Sequence, residues 1–133
     1  MRSAVDTNIL ARLLVGVDRA QLEAVQKILL LSGTMVISNI VLCETMWVLG
    51  RALKRTRDEI GLAVSTLGEV ESFELDRPAA DAGLAVMAKG GDFADGVMMH
   101  EATRLRCDQV ITLDRAFAKI GGRLPVNLVV AKT

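Results

Sequence analysis

Apolar residues recur along this chain in short β-branched runs separated by longer stretches of helical period, and the alternation holds from end to end. Ser3–Val5 reads as a brief strand that stops at Asp6. From Thr7 to Leu14, residues Ile9, Leu10, Leu13 and Leu14 return on one helical face. A second helix is predicted over Arg19–Leu31 and is broken at Ser32-Gly33. Thr34–Ile37 is a compact β-branched and apolar run, the mark of a buried strand. Ser38 or Asn39 then caps a helix over Ile40–Leu53, and another follows over Asp58–Glu71.

The second half repeats the scheme. Ser72–Leu75 is a short strand, and Asp76 and Pro78 open a helix that runs to Lys89. Gly90-Gly91 interrupts the chain, and Asp92 opens a helix to Leu105. Gln109–Thr112 is a strand, Asp114–Ile120 a short helix and Val126–Val130 the last strand. Strands alternating with helices specify parallel pairing through crossover connections, hence an α/β fold with helices flanking the sheet. No linker or internal repeat divides residues 1–133, so one domain is expected.

That topology gives the acidic residues their interest. Asp6 and Asp114 each follow a strand, whereas Glu44 and Asp95 lie early in helices that follow strands or turns. In a parallel sheet such positions converge on the crevice beyond the strand carboxyl ends. Four carboxylates gathered there repel one another, and a divalent cation is the simplest compensation. All-oxygen ligation suits Mg²⁺ or Mn²⁺. Each acid also has an ordinary structural use. Asp6 and Asp114 suit helix N-caps, and Glu44 suits a salt bridge or a side chain that reaches the surface. The helix IVLCETMWVLG is nevertheless apolar on nearly every side, so a charge within it calls for a partner or a metal. In GGDFADG, Asp92 is assigned mainly to capping and Asp95 is the better ligand. Thr7 and Asn8 supply a hydroxyl and an amide beside Asp6. His100, the single histidine, falls about 140° around the helix from Asp95 and is read as a packing or partly exposed residue.

Composition narrows the function classes. Acidic and basic residues balance at 16 each, so overall charge neither demands nor excludes nucleic acid. The few aromatics, Trp47, Phe73, Phe93 and Phe117 with no tyrosine, argue against a base-stacking platform. Arg51, Lys54, Arg55 and Arg57 form a basic cluster that either favours a helix end or draws RNA phosphates, with Arg104 and Arg115 offering a second approach. Cys43 and Cys107 are read as small buried hydrophobes rather than a disulfide. The start MRSAVDTNIL has no leader-like apolar region and no run spans a bilayer, so a reducing, cytoplasmic setting is expected. Nucleotide-binding glycine loops and a nucleophile elbow are both lacking.

Taken in order, VDTN, SNIVLCETMWVL, DFADGVMMHEA and VITLDRAF resemble the PIN domain, and more narrowly the VapC-type toxins of bacterial toxin–antitoxin pairs. The resemblance covers essentially the whole chain. It implies a three-layer α/β/α fold with a central parallel sheet and an Mg²⁺- or Mn²⁺-dependent endoribonuclease site. Asp6, Glu44 and Asp95 match the family's three acids and Asp114 its fourth position, while Thr7 and Thr112 match its small hydroxyl positions. A homodimer and a small neutralising antitoxin are implied as partners. Ala116 stands where many relatives carry a further Asp, which weakens a second metal site. Two other readings compete: a PIN fold that binds without catalysis, and a haloacid-dehalogenase-type phosphatase. The latter requires a second Asp where this chain has Asn8.

Overall fold

The structure, a computed structural model, describes residues 1–15 and 19–131. The chain divides into two compact units, Met1–Arg77 and Pro78–Thr133. The first contains β1 (Arg2–Ala4), α1 (Thr7–Val15), α2 (Arg19–Ser32), β2 (Thr34–Ile37), α3 (Asn39–Trp47), a π-helical turn (Val48–Ala52), α4 (Arg57–Glu69) and β3 (Phe73–Leu75). The second contains nearly all of α5 (Arg77–Ala88), then α6 (Phe93–Arg104), β4 (Val110–Thr112), α7 (Arg115–Ile120) and β5 (Val126–Leu128).

Every strand pairing is parallel, as the alternation of strands and helices requires. In the first unit the order is β1-β2-β3, with Ser3 opposite Met35 and Met35 opposite Phe73. The central strand β2 buries Met35 and Ile37 and half-buries Thr34 and Val36, so neither of its faces is open to solvent. This is the burial that selects a continuous apolar and β-branched run over an alternating one. Gly33 links α2 to β2 at φ 77°, a left-handed conformation in which a Cβ would also lie 2.9 Å from the Met1 carbonyl oxygen. In the second unit β4 pairs with β5, Ile111 opposite Asn127. Met99, Val110 and Phe117 form its core, with Ala102, Leu124 and Val126 packed around them.

Helix starts follow local chemistry. Ser38 accepts a hydrogen bond from the Val41 N–H and fixes the start of α3. Thr56 and Glu59 form a reciprocal capping box at α4, each side chain accepting the other residue's backbone N–H at 3.1 Å. Hydrogen bonding to the Thr56 backbone N–H, and after it to the Thr56 side chain, holds the Glu59 carboxyl below the usual range.

Three expectations change. The helix predicted over Ile40–Leu53 is regular only to Trp47 and continues as a π-turn, in which the Leu53 N–H reaches back to the Val48 carbonyl. Cys107 lies in the turn after α6 and is exposed, and Cys43 is only half-buried, so neither is the fully buried hydrophobe expected; neither is in a disulfide. Glu44 is exposed although α3 is apolar, because Leu42, Thr45, Met46 and Leu49 alone make its buried stripe. The periodicity of that stripe is helical and intact; Val41 and Cys43 flank it half-buried, and Ile40 and Trp47 face outward.

Candidate active site

Asp6 lies two residues beyond the end of β1 and immediately precedes α1. Its Oδ1 accepts a hydrogen bond from the Ile9 N–H at 2.9 Å, so the ordinary capping role is real. Thr7, the next residue, donates its hydroxyl to Glu44 Oε2 at 3.3 Å. That bond ties the first turn of α1 to the middle of α3 and brings Glu44 beside the segment that carries Asp6. Asn8 is exposed one position further on.

The second unit repeats the motif at its own strand end. Asp114 follows β4, and its Oδ1 accepts from the Phe117 N–H at 3.0 Å to cap α7. Thr112 at the end of β4 accepts from the Asp114 N–H at 3.0 Å. The strand end is thereby held on both sides of the acid, and only one carboxylate oxygen of Asp114 is used by the cap. Arg115, next in sequence, is exposed.

Asp95 sits in the first turn of α6. Desolvation by burial raises its carboxyl above the ordinary range, and the charges of Asp92 and Asp114 raise it further. Three carboxylates therefore share one field within the second unit. Asp92 occupies the N-cap position of α6 but makes no side-chain cap hydrogen bond. Its assignment to capping is thus corrected: its contribution is charge beside Asp95. The reason is visible in the backbone, where the Asp95 N–H is taken by the Asp92 carbonyl.

The four acids divide between the units, Asp6 and Glu44 in the first and Asp95 and Asp114 in the second. Within neither unit do three described His, Cys, Asp or Glu side chains come close enough to hold a metal ion by themselves. The donor chemistry nonetheless fits a hard divalent cation, since every candidate ligand is a carboxylate oxygen and the repulsion acting on Asp95 is what a cation would offset.

The basic cluster is exposed throughout. Arg51 lies in the π-turn, Lys54 adopts a left-handed φ of 55°, and Arg55 approaches Glu59 at 3.6 Å. Residues that sequence reasoning passed over are Asp81, Lys89 and Arg123, which line a cavity of the second unit together with His100. The signal for the first two was present in the recurrence of Asp81, Ala85 and Lys89 at helical spacing along α5 and the turn that ends it.

The chain is thus of the parallel α/β class, with helix-capping acids just beyond two of its strand ends. The PIN domain family pattern matches residues 4–123, and the chain belongs to that family. PIN domains are generally metal-dependent nucleases and typically use divalent metals. This membership bears out the α/β fold class and supports a hydrolase, and it leaves no place for a haloacid-dehalogenase-type phosphatase. No curated protein matches the chain. No helix among the described residues is long and apolar enough to cross a membrane.

Proposed function

We propose that this chain is an Mg²⁺- or Mn²⁺-dependent endoribonuclease, the toxin of a toxin–antitoxin pair, acting in the cytoplasm as a single PIN domain that forms a homodimer and is neutralised by a small cognate antitoxin. The observation that carries the nuclease reading is the shared geometry of Asp6 and Asp114. Each follows a strand, and each fixes its carboxylate by giving one oxygen to the N–H three residues on, at 2.9 and 3.0 Å. A carboxylate immobilised in this way costs little further entropy when its second oxygen takes a ligand. The raised Asp95 supplies a third acid whose charge lacks compensation.

In this reading Asp6, Asp95 and Asp114 hold the ion. When bound, it neutralises charge on the scissile phosphate and lowers the pKa of water. Glu44, oriented by the Thr7 hydroxyl, holds the attacking water and accepts its proton. The water oxygen bonds to phosphorus as the bond to the 3′ oxygen breaks. The 3′ oxygen takes a proton from solvent as it leaves, Glu44 returns its own to solvent, and the products carry a 5′-phosphate and a 3′-hydroxyl. The RNA 2′-hydroxyl is not required as nucleophile. Arg51, Lys54, Arg55 and Arg57, with Arg115, supply phosphate contacts that offset the repulsion of an acidic site.

The toxin and dimer readings draw on the ordered motifs and on the exposed apolar residues Ile40 and Trp47 of α3, which suit burial by a second chain. The direct test is cleavage of mixed RNA with and without Mn²⁺, followed by end analysis. Metal-dependent cutting that leaves 5′-phosphates supports the proposal. An absence of cutting under any divalent ion would leave a binding module instead.

A further inference from the structure

Beyond the acids, the second unit contains a cavity of about 460 Å³ lined by one face of α5, one face of α6 and the turn after α7. Its origin is a glycine crossing. A Cβ on Gly96 would lie 2.2 Å from the Ala82 carbonyl oxygen and 2.6 Å from Gly83 Cα, so α5 and α6 touch backbone to backbone there. Small residues at that contact, Ala82 and Ala85 on α5 and Gly121-Gly122 after α7, leave the space unfilled. Gly121 has φ 64° and ψ −158°, a conformation essentially restricted to glycine, and it directs Gly122 and Arg123 to the cavity.

The lining is apolar with a few placed polar groups, the usual make-up of a small-ligand site, and the volume lies within the roughly 300–1,000 Å³ of such sites. Lys89 and Arg123 bring cationic heads, Asp81 a carboxylate, and His100 an imidazole. Asp81 on α5 and Lys89 in the turn just after it are eight residues apart, about 12 Å at helical rise. That span holds a hydrogen-bonding edge at one end and an anion at the other. Gly96 lines the cavity and follows Asp95 in the first turn of α6, so one helix carries both the cavity wall and an acid of the proposed active site, on faces about 100° apart.

We propose that this cavity is a nucleotide subsite that takes one unpaired nucleotide of the RNA strand at a position flanking the cleaved bond. The base lies against Val86, Met99 and the Arg123 guanidinium, a plane on which bases stack without aromatics. Asp81 accepts from an amino or imino group on the base edge, which favours bases carrying such donors. Lys89 meets the phosphate. The inference rests on the ribonuclease reading and deepens it, giving a chain with few aromatics a means of preferring one base.

The test uses the single histidine as reporter. Ring-proton NMR signals of His100 are followed while the wild-type protein is titrated with each of the four 5′-nucleoside monophosphates and, separately, with ribose 5-phosphate. At least one nucleotide is expected to give a saturable shift that ribose 5-phosphate does not reproduce. Ala85→Trp, at an exposed position whose larger ring fills the cavity, should weaken that binding at least tenfold. No saturable shift with any nucleotide, or an equal one with ribose 5-phosphate, overturns the subsite. In parallel, cut sites in mixed RNA are sequenced for wild type and Ala85→Trp with Mn²⁺. A preference at one flanking position, lost in the variant, supports the proposal. Identical cut-site profiles overturn it while leaving the nuclease reading intact. A wild type that cuts nothing while His100 still saturates makes the ligand a free nucleotide, and overturns both the RNA source and the nuclease reading.

Discussion

The Thr7 hydroxyl donates to Glu44 Oε2 across 3.3 Å, joining two residues 37 positions apart. Glu44 is exposed, so this bond rather than burial restricts its rotamers. If Glu44 accepts the proton of the attacking water, its aim matters. Thr7→Ser keeps a hydroxyl and should retain most RNA cleavage. Thr7→Val, which removes it with little change of shape, should reduce kcat about tenfold with little change in KM, as expected for a misaligned general base. Equal steady-state kinetics for Thr7→Val and wild type would refute that role.

Asp6 and Asp114 each combine a cap with a proposed ligand, and the two uses separate by substitution. Asn caps helices as well as Asp does, whereas Ala does not. Asp6→Asn and Asp114→Asn should therefore melt near wild type in EDTA yet lose cleavage and Mn²⁺ affinity. Asp6→Ala should additionally lose about 1 kcal/mol of stability in urea unfolding. Full cleavage by Asp6→Asn would reduce that residue to its capping role.

The raised carboxyl of Asp95 has a definite pH signature. In the folded protein it holds its proton to higher pH than in the unfolded chain, where the ordinary value is 3.8. The native state thus binds more protons in the window just above 3.8, and stability falls as pH rises through it. At neutral pH without divalent ions, Asp95→Asn should melt above wild type. The advantage should vanish below that window. Mg²⁺ should narrow the gap at neutral pH by stabilising wild type more than the variant. Parallel melting curves across pH would show that Asp95 is not under this strain.

Phosphate contacts are tested through salt. Each lost contact to single-stranded RNA should flatten the log–log dependence of affinity on salt by roughly 0.7. Arg51→Ala with Arg55→Ala, titrated with RNA in Ca²⁺ to suppress cleavage, should bind more weakly with a shallower slope. Unchanged affinity and slope would return the cluster to a structural role and direct attention to Arg104 and Arg115. Arg55 also pairs with Glu59 at 3.6 Å, but that exposed pair contributes little to stability, so unfolding should hardly register the change.

The α5–α6 crossing leaves no room for a side chain at Gly96. Gly96→Ala would place its methyl 2.2 Å from the Ala82 carbonyl oxygen, which is backbone and cannot swing away. A loss of about 1–3 kcal/mol is expected in chemical unfolding. Gly90→Ala, where a Cβ meets nothing within 4 Å, isolates the strain of a positive φ without any packing clash.

How much of this was legible beforehand depended on how local the determining physics is. The alternation of elements was readable because helix and strand periods are carried by neighbouring residues, and the boundaries at Thr34–Ile37 needed no adjustment. Asp6 and Asp114 were readable as cap-or-ligand because the cap lies three residues away. Glu44 was not, since an apolar helix does not announce which of its apolar residues face out; Trp47 is 62% exposed. Asp92 carried the signature of a cap without its side-chain hydrogen bond. The cavity of the second unit was the least legible, because it depends on two glycine-bearing helices approaching each other and on a turn 25 residues beyond Gly96 in the chain.

The π-turn at Val48–Ala52 accommodates one residue more than a regular α-helix would within the same rise. Each residue of an α-helix advances the direction of its side chain by about 100°. Arg51 and the loop after it therefore face a direction that an unbroken continuation of α3 would not give them. Shortening this stretch by one residue would keep Arg51 yet swing it about a quarter turn around the helix axis. In this protein the aim of Arg51 is set by a count of residues, and length variation here would redirect that cation without altering a single charge.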